Sequence, residues 1–398
     1  MLLARISALL RPRRARLLAC ACALCLCCTT APASAGAAHP FKLPKIHHLF
    51  VLVLENEGYA ATFGTPSADP YLATTLPAQG ALLENYFATG HESNDNYVSL
   101  VSGQPPNPDN QGDCLTYANF PLEKTEPGGL EAGVGCVYPA SIENIGTQLS
   151  KAGKSWKGYM QDMGNNPKRE SAACGHPAVN SRDETQSAEA GDGYATRHDP
   201  FPYFHSVIDN QAFCNAHVVA LGSPSGAMPA SALPGETGLV TDLKKPSTTP
   251  AFAFITPNLC ADGHDKPPCT NEPGGASELA DIDSFLETWV PKITGSKAFK
   301  KGGLLEVLFD EAGSSETEAC CGEMPGPSMS TPGITGPGGG RVGAVLISRF
   351  IKPGTVVKTS YNHYSSLASW ETLFGVPRLA DAATVSSMFG ADVFTARR

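Results

Sequence analysis

The chain has 398 residues, 42% hydrophobic and only 17% charged, which is too apolar for disorder and sufficient for a large core. Its formal charge of −9, from 29 basic and 38 acidic residues, argues against a nucleic-acid partner, which would need a basic face. Forty glycines and 33 prolines mean that much of the chain is loop.

Residues 1–35 have the pattern of a signal peptide. Arg5, Arg11, Arg13, Arg14 and Arg16 give a positive start, Leu17 to Cys28 is an apolar run too short to span a bilayer, and Ala33-Ser34-Ala35 is a small-x-small cleavage pattern. Arg13-Arg14 ahead of Leu17-Leu18 is a poor match to a twin-arginine signal, so the export route stays open. No later stretch has 18 uninterrupted apolar residues. The expectation is a secreted or periplasmic protein, cleaved after Ala35, with no stable membrane anchor.

Eight cysteines lie beyond the signal: Cys114, Cys136, Cys174, Cys214, Cys260, Cys269, Cys320 and Cys321. An even number in an exported chain suggests disulfides. Pairing of neighbours, such as Cys114 with Cys136 and Cys260 with Cys269, is the simplest arrangement, and the sequence leaves the connectivity open. No CxxC pair past residue 35 supports a zinc-thiolate site.

The apolar run His48–Leu54, ending in Glu55, predicts a buried strand. A helix over 68–79, a strand over 81–87 and a helix over 93–102 follow. Apolar spacing predicts a helix over 141–152, stopped by Gly153, and then a strand over 155–160. Residues 161–250 are polar and broken by Gly and Pro, as in a loop-rich insertion. Strands are expected again at 251–256, 303–309 and 342–348, with helices at 277–290 and 365–374 and a Gly/Pro-rich loop over 325–340. Strands alternating with helices imply a mainly parallel sheet covered on both faces, a three-layer α/β/α sandwich, in one domain over 36–398.

Three strand ends carry acidic or amide groups: Glu55-Asn56, Asn258 with Asp262, and Asp310-Glu311. In open α/β sheets ligands bind at the carboxyl ends of strands, so these groups favour a metal or phosphate site over solvated strand ends. Oxygen-rich sets with one or two histidines suit hard or borderline divalent cations. Ser93 opens a helix, where the helix dipole favours anions; a serine there also serves as an N-cap. Asn96 lies one turn on. A serine hydrolase would need G-x-S-x-G, and Gly222-Ser223-Pro224-Ser225-Gly226 misplaces its serines. Gly336-Pro337-Gly338-Gly339-Gly340 lacks the Lys-Ser/Thr of a phosphate loop.

Together these segments carry a resemblance. Val51 to Asn56 with Tyr59 and Phe63-Gly64, then Gly90-His91-Glu92-Ser93-Asn94-Asp95-Asn96-Tyr97 with Ser102-Gly103, resemble the first two motifs of the bacterial phosphoesterase family. Arg197-His198-Asp199-Pro200-Phe201, Pro257 to Asp265, Phe309-Asp310-Glu311, and His363-Tyr364-Ser365 to Phe374-Gly375 resemble its later motifs, in family order.

The resemblance implies an alkaline-phosphatase-like fold and a hydrolase of phosphoric esters that uses one or two divalent metals (calcium, magnesium, manganese, zinc or iron). It implies Ser93 as nucleophile, Asn96 as phosphate clamp, and His198, with His91 beside it, as phosphate or proton-transfer residues. Glu55, Asp310 and Glu311, with Asn56 adjacent, are implied as ligands of the metal at the nucleophile. Asp262, His264 and His363 are implied for a second metal. The departures are Glu57-Gly58-Tyr59 in the first motif and Asn94-Asp95 in the second, the latter adding a carboxylate beside the phosphate site.

The expected substrate is a small phosphate monoester, as for an acid phosphatase. The alternatives are a phospholipase-C-like diesterase acting at a phospholipid headgroup and a non-catalytic, disulfide-stapled binding protein. A net acidic chain with no basic amphipathic helix disfavours docking to anionic lipid.

Overall fold

The computed structural model describes residues 41–266, 277–321, 323 and 325–395. The signal peptide over 1–35, the cleavage point after Ala35 and Cys269 therefore lie outside the described residues.

The labelled elements, in chain order, are strands β1 (His48–Leu54) and β2 (Ala81–Leu83), helices α1 (Ser93–Ser102) and α2 (Ile145–Lys151), and strands β3 (Trp156–Met160), β4 (Val218–Ala220) and β5 (Phe252–Thr256). Helices α3 (Glu278–Gly295) and α4 (Lys297–Gly302), strands β6 (Gly303–Phe309), β7 (Ala344–Ser348) and β8 (Thr355–Val357), and helix α5 (His363–Phe374) complete them. The eight strands form one sheet in the order β8-β2-β7-β6-β1-β5-β3-β4.

β1 is central and runs parallel to β5 and β6 on either side, with Val51 opposite Phe254 and Glu306. A strand buried on both faces needs a continuous apolar run, and Leu49 to Leu54 is wholly buried. β3 is parallel to β5 and β4, while β7 is antiparallel to both β6 and β2. The α/β class and the mainly parallel sheet are thus as expected. α1, α2 and α5 pack against one another, and α3 packs on α4.

Because β1, β5 and β6 are parallel and in register, the chain leaves all three at one edge, at Glu55, Pro257 and Asp310. Main-chain bonds tie these exits together: Glu55 N–H donates to Asp262 O at 2.9 Å and Asp310 N–H to Leu54 O at 2.8 Å.

Several expectations are corrected. The strand expected over 81–87 is two: β2 joins the main sheet, while Tyr86–Phe87 pairs with Tyr361–Asn362 in a separate ladder. The helix expected over 68–79 spans Tyr71–Gln79 and opens with a π-helical turn at Tyr71–Thr75. The 161–250 segment contributes β4, an edge strand of the main sheet, and so is not wholly an insertion. α5 starts two residues earlier than expected because Asn362 is its cap, accepting from Ser365 N–H at 2.9 Å.

Cys114 is bonded to Cys136 as expected, and Cys174–Cys214 and the adjacent pair Cys320–Cys321 are also disulfides. Cys260 is disulfide-bonded too.

Candidate active site

The sheet's exit edge gathers the strand-end carboxylates. Glu55, Asp262 and Asp310 are all 0% exposed. Opposite them stands α1, whose first residue is Ser93. Glu92 occupies the N-cap position and makes no side-chain cap bond. Ser93 is therefore no cap: its hydroxyl donates to Glu55 Oε2 at 2.8 Å. One turn on, the Tyr97 hydroxyl donates to Glu55 Oε1 at 2.6 Å, so both carboxylate oxygens are held from the same helix.

The 3-10 turn Thr196–His198 supplies His198. Its Nδ1 lies 3.0 Å from Asp262 Oδ2 and its Nε2 3.4 Å from Glu55 Oε2, and its ring stacks on Tyr97. With the Nδ1 proton given to Asp262, Nε2 turns a lone pair towards a carboxylate. Burial, and then Arg197 and His264, hold the His198 pKa well below the ordinary histidine value, so the ring is neutral.

Asp310 Oδ1 accepts from the Asn56 and Glu311 N–H groups at 3.1 and 2.6 Å, while its buried Oδ2 has no hydrogen-bond partner. Asn56 contributes this main-chain donor from a left-handed conformation, φ 64°.

The electrostatics are one-sided. Burial, and then Asp310 and Asp262, push the Glu55 pKa well above its ordinary value, and burial does the same to Asp262. Such a set is neutralised either by holding protons or by a cation that enters it. Ligand atoms of Glu55, His198 and Asp262 all lie within 4.8 Å of one another, a spacing that suits one cation. Oδ2 of Asp310 and Nε2 of His198 are both buried without a hydrogen-bond partner. The residues present therefore fit a divalent metal.

Other expected site residues have different partners. Glu311 turns to His91, with Nδ1 at 2.5 Å from Oε2, and His91 Nε2 reaches Glu316 O at 2.8 Å. His264 Nδ1 meets Asp265 at 2.8 Å, and its Nε2 accepts from Arg197 at 3.0 Å. His363 Nε2 donates to the main-chain oxygen of Asp310 at 2.6 Å, and Nδ1 contacts the Tyr86 hydroxyl at 3.2 Å. As placed, Glu311 pairs with His91, His264 with Asp265 and Arg197, and His363 with Asp310 and Tyr86. Asn96, expected as a phosphate clamp, staples the 89–92 loop in this structure. Its Oδ1 accepts from Thr89 and Gly90 N–H groups at 3.1 and 3.0 Å, and its Nδ2 donates to Gly90 O and Glu92 O at 2.8 and 3.0 Å. No donor is left over for a phosphate oxygen.

Two contributors had little or no sequence signal. Arg197, 2% exposed, lies 3.4 Å from Asp113 and also donates to Gln186 O at 3.0 Å, which places a buried cation beside α1. It sits in the third motif, but only folding brings it here. Asp113, from a left-handed turn, accepts from Asn94 N–H at 3.0 Å, and nothing in its neighbourhood marked it. The family departure Asp95 is wholly buried with neither oxygen partnered, and a Cβ on Gly90 would lie 2.7 Å from both, so position 90 has no room for a side chain.

A model of the Phosphoesterase family matches residues 67–377. A phosphatidylinositol-3-phosphatase of Mycobacterium tuberculosis is 25% identical over 340 residues, covering 84% of this chain and 79% of that protein. A phosphate-repressible acid phosphatase of Penicillium chrysogenum is 23% identical over 317 residues, covering 79% of this chain and 57% of that protein, so the chain spans little more than half the length of this fungal relative. A protein in the alkaline phosphatase superfamily from Vibrio parahaemolyticus superposes with a TM-score of 0.46 at 15% identity, over 85% of this chain and 68% of that one.

Proposed function

Since the chain belongs to the Phosphoesterase family, whose members hydrolyse phosphate esters, we propose that it is an exported, metal-dependent phosphomonoesterase of acid-phosphatase type with Ser93 as its nucleophile. The observation that carries this reading is the Ser93–Glu55 hydrogen bond at the edge of a buried carboxylate set.

The Ser93 oxygen attacks phosphorus as the ester P–O bond breaks. The hydroxyl proton passes along its hydrogen bond to Glu55, and that same proton is handed on to the departing alcohol. Water then hydrolyses the phosphoserine, releasing phosphate and restoring the hydroxyl. Tyr97 fixes Glu55 throughout, and His198 is oriented by Asp262 and by stacking on Tyr97. A divalent cation held by Glu55, Asp262, Asp310 and His198 would supply Lewis-acid charge for the phosphoryl oxygens and lower the hydroxyl pKa. Arg197 adds the positive charge that a monoester dianion demands more than a diester does.

Three disulfides within the described residues support export, since such bonds persist in oxidising compartments. Among the described residues no helix is long and apolar enough to cross a membrane.

The test is a side-by-side assay on p-nitrophenyl phosphate, bis-p-nitrophenyl phosphate and phosphatidylcholine with added divalent metal. The monoester should be turned over fastest. A diester preferred by about tenfold, or about 1.4 kcal/mol of transition-state preference, overturns the phosphomonoesterase reading.

A further inference from the structure

A cavity of about 520 Å³ lies at the carboxyl ends of β3 and β4, against α3. It is separate from the Ser93 site: Ala261 lines it, while the next residue, Asp262, turns its carboxylate away to His198. None of Glu55, Ser93, His198, Asp262 or Asp310 belongs to its lining. The volume is that of pockets that take ring-sized or larger organic molecules.

One wall is a face of α3. Asp281, Phe285 and Trp289 recur at intervals of four, so this face presents a carboxylate and then two rings over a rise of about 12 Å. The ring centroids are 6.0 Å apart. Met228 lines the cavity from the loop after β4, and Asp162 from the end of β3. Asp162 Oδ2 accepts from Asn258 Nδ2 at 2.6 Å and from Gly193 N–H at 3.1 Å, bonds that fix this second carboxylate in place. Among the described residues the lining holds no Lys, Arg or His.

Two carboxylates and two aromatic rings, with no basic side chain beside them, complement a positive charge carried on an apolar body. The carboxylates attract a cation and repel an anion, the ring faces add cation–π attraction, and the ring area takes up the apolar part. A phosphate or carboxylate group would meet like charge. We propose that this cavity is a second ligand site, distinct from the Ser93 site, and that it binds an organic ammonium ion with a ring-sized apolar body. The proposal does not depend on phosphoesterase chemistry at Ser93.

Calorimetric titration in neutral, magnesium-containing buffer reads the site without turnover. Three probes of one shape are compared: 2-naphthylmethylamine, which is protonated there, 2-naphthalenemethanol and 2-naphthoate. The amine should bind saturably at one site, the alcohol about tenfold or more weaker, and the carboxylate weaker still. Asp281→Asn should weaken the amine about tenfold and leave the alcohol within about twofold. Ser284 lines the cavity from an exposed position, so Ser284→Trp fills it without entering the core and should abolish amine binding. Glu55→Gln, in the other carboxylate set, should leave amine binding within about twofold. An amine that binds no more tightly than the alcohol overturns the proposal, and this comparison needs no variant. Amine binding that survives Ser284→Trp, or that falls as far in Glu55→Gln as in Asp281→Asn, also overturns it.

Discussion

The Ser93 hydroxyl donates to Glu55 Oε2 at 2.8 Å across the gap between α1 and the end of the central strand. The contact joins residues 38 positions apart, from two elements that the sheet's register and the packing of α1 bring together. Its chemistry depends on Tyr97, which occupies the other Glu55 oxygen, and on the burial that keeps water from competing for either.

The metal prediction follows from the grouping of ligand atoms of Glu55, His198 and Asp262. After dialysis against a chelator, turnover should be lost and thermal stability lowered, because a cation bound only by the folded state adds stability by mass action. Returning divalent metal should restore both, and in His198→Ala the metal needed for half-restoration of the melting temperature should rise. Unchanged turnover and melting temperature after verified removal of metal would refute this.

Asn96→Ala should destabilise the fold by about 2–4 kcal/mol, since it strips partners from buried main-chain groups of the 89–92 loop. Denaturant unfolding measures the loss. A variant as stable as the parent, with only KM for phosphate esters raised, would return Asn96 to the clamp role.

Glu306 gives the pH prediction. It is wholly buried, accepts from Ser366 and Trp370 at 2.6 and 2.7 Å, and has its pKa pushed up by burial from 4.5 to about 7. With the folded value raised, the group's contribution to stability is full below about pH 4.5, lost as pH rises to about 7, and constant above. Glu306→Gln keeps an acceptor for Trp370 and can donate to Ser366. It should flatten this part of the stability profile and gain about 3 kcal/mol relative to the parent between pH 4.5 and 8. Parallel pH profiles for the two proteins would show that Glu306 ionises normally.

The sequence was most legible where one physical requirement dominated. β1 and β6 could be read to within a residue because a strand buried on both faces must be apolar throughout. β4 could not, since Val218–Ala220 is a three-residue edge strand between a helix and a Gly/Pro-rich loop. The split after Leu83 was hidden because Glu84-Asn85 interrupts the apolar run only briefly before Tyr86. In the site, Glu55, Asp262 and Asp310 were marked by their place after buried strands. The partners of Glu311, His264 and His363 were not, because His91, Arg197 and Tyr86 reach them from loops and a short ladder distant in sequence. His198 was marked by its motif, but its place between Glu55 and Asp262 depended on the fold of the 161–204 segment.

The most direct test of the central claim is covalent. The protein is mixed with excess p-nitrophenyl phosphate, quenched in acid during turnover and digested, and the peptide containing Ser93 is examined by mass spectrometry. Ser93 should carry one phosphoryl group, absent from Ser93→Ala, which should fold normally and lose nearly all turnover. An unmodified Ser93 peptide together with parental turnover in Ser93→Ala would contradict the account and make water the attacking group.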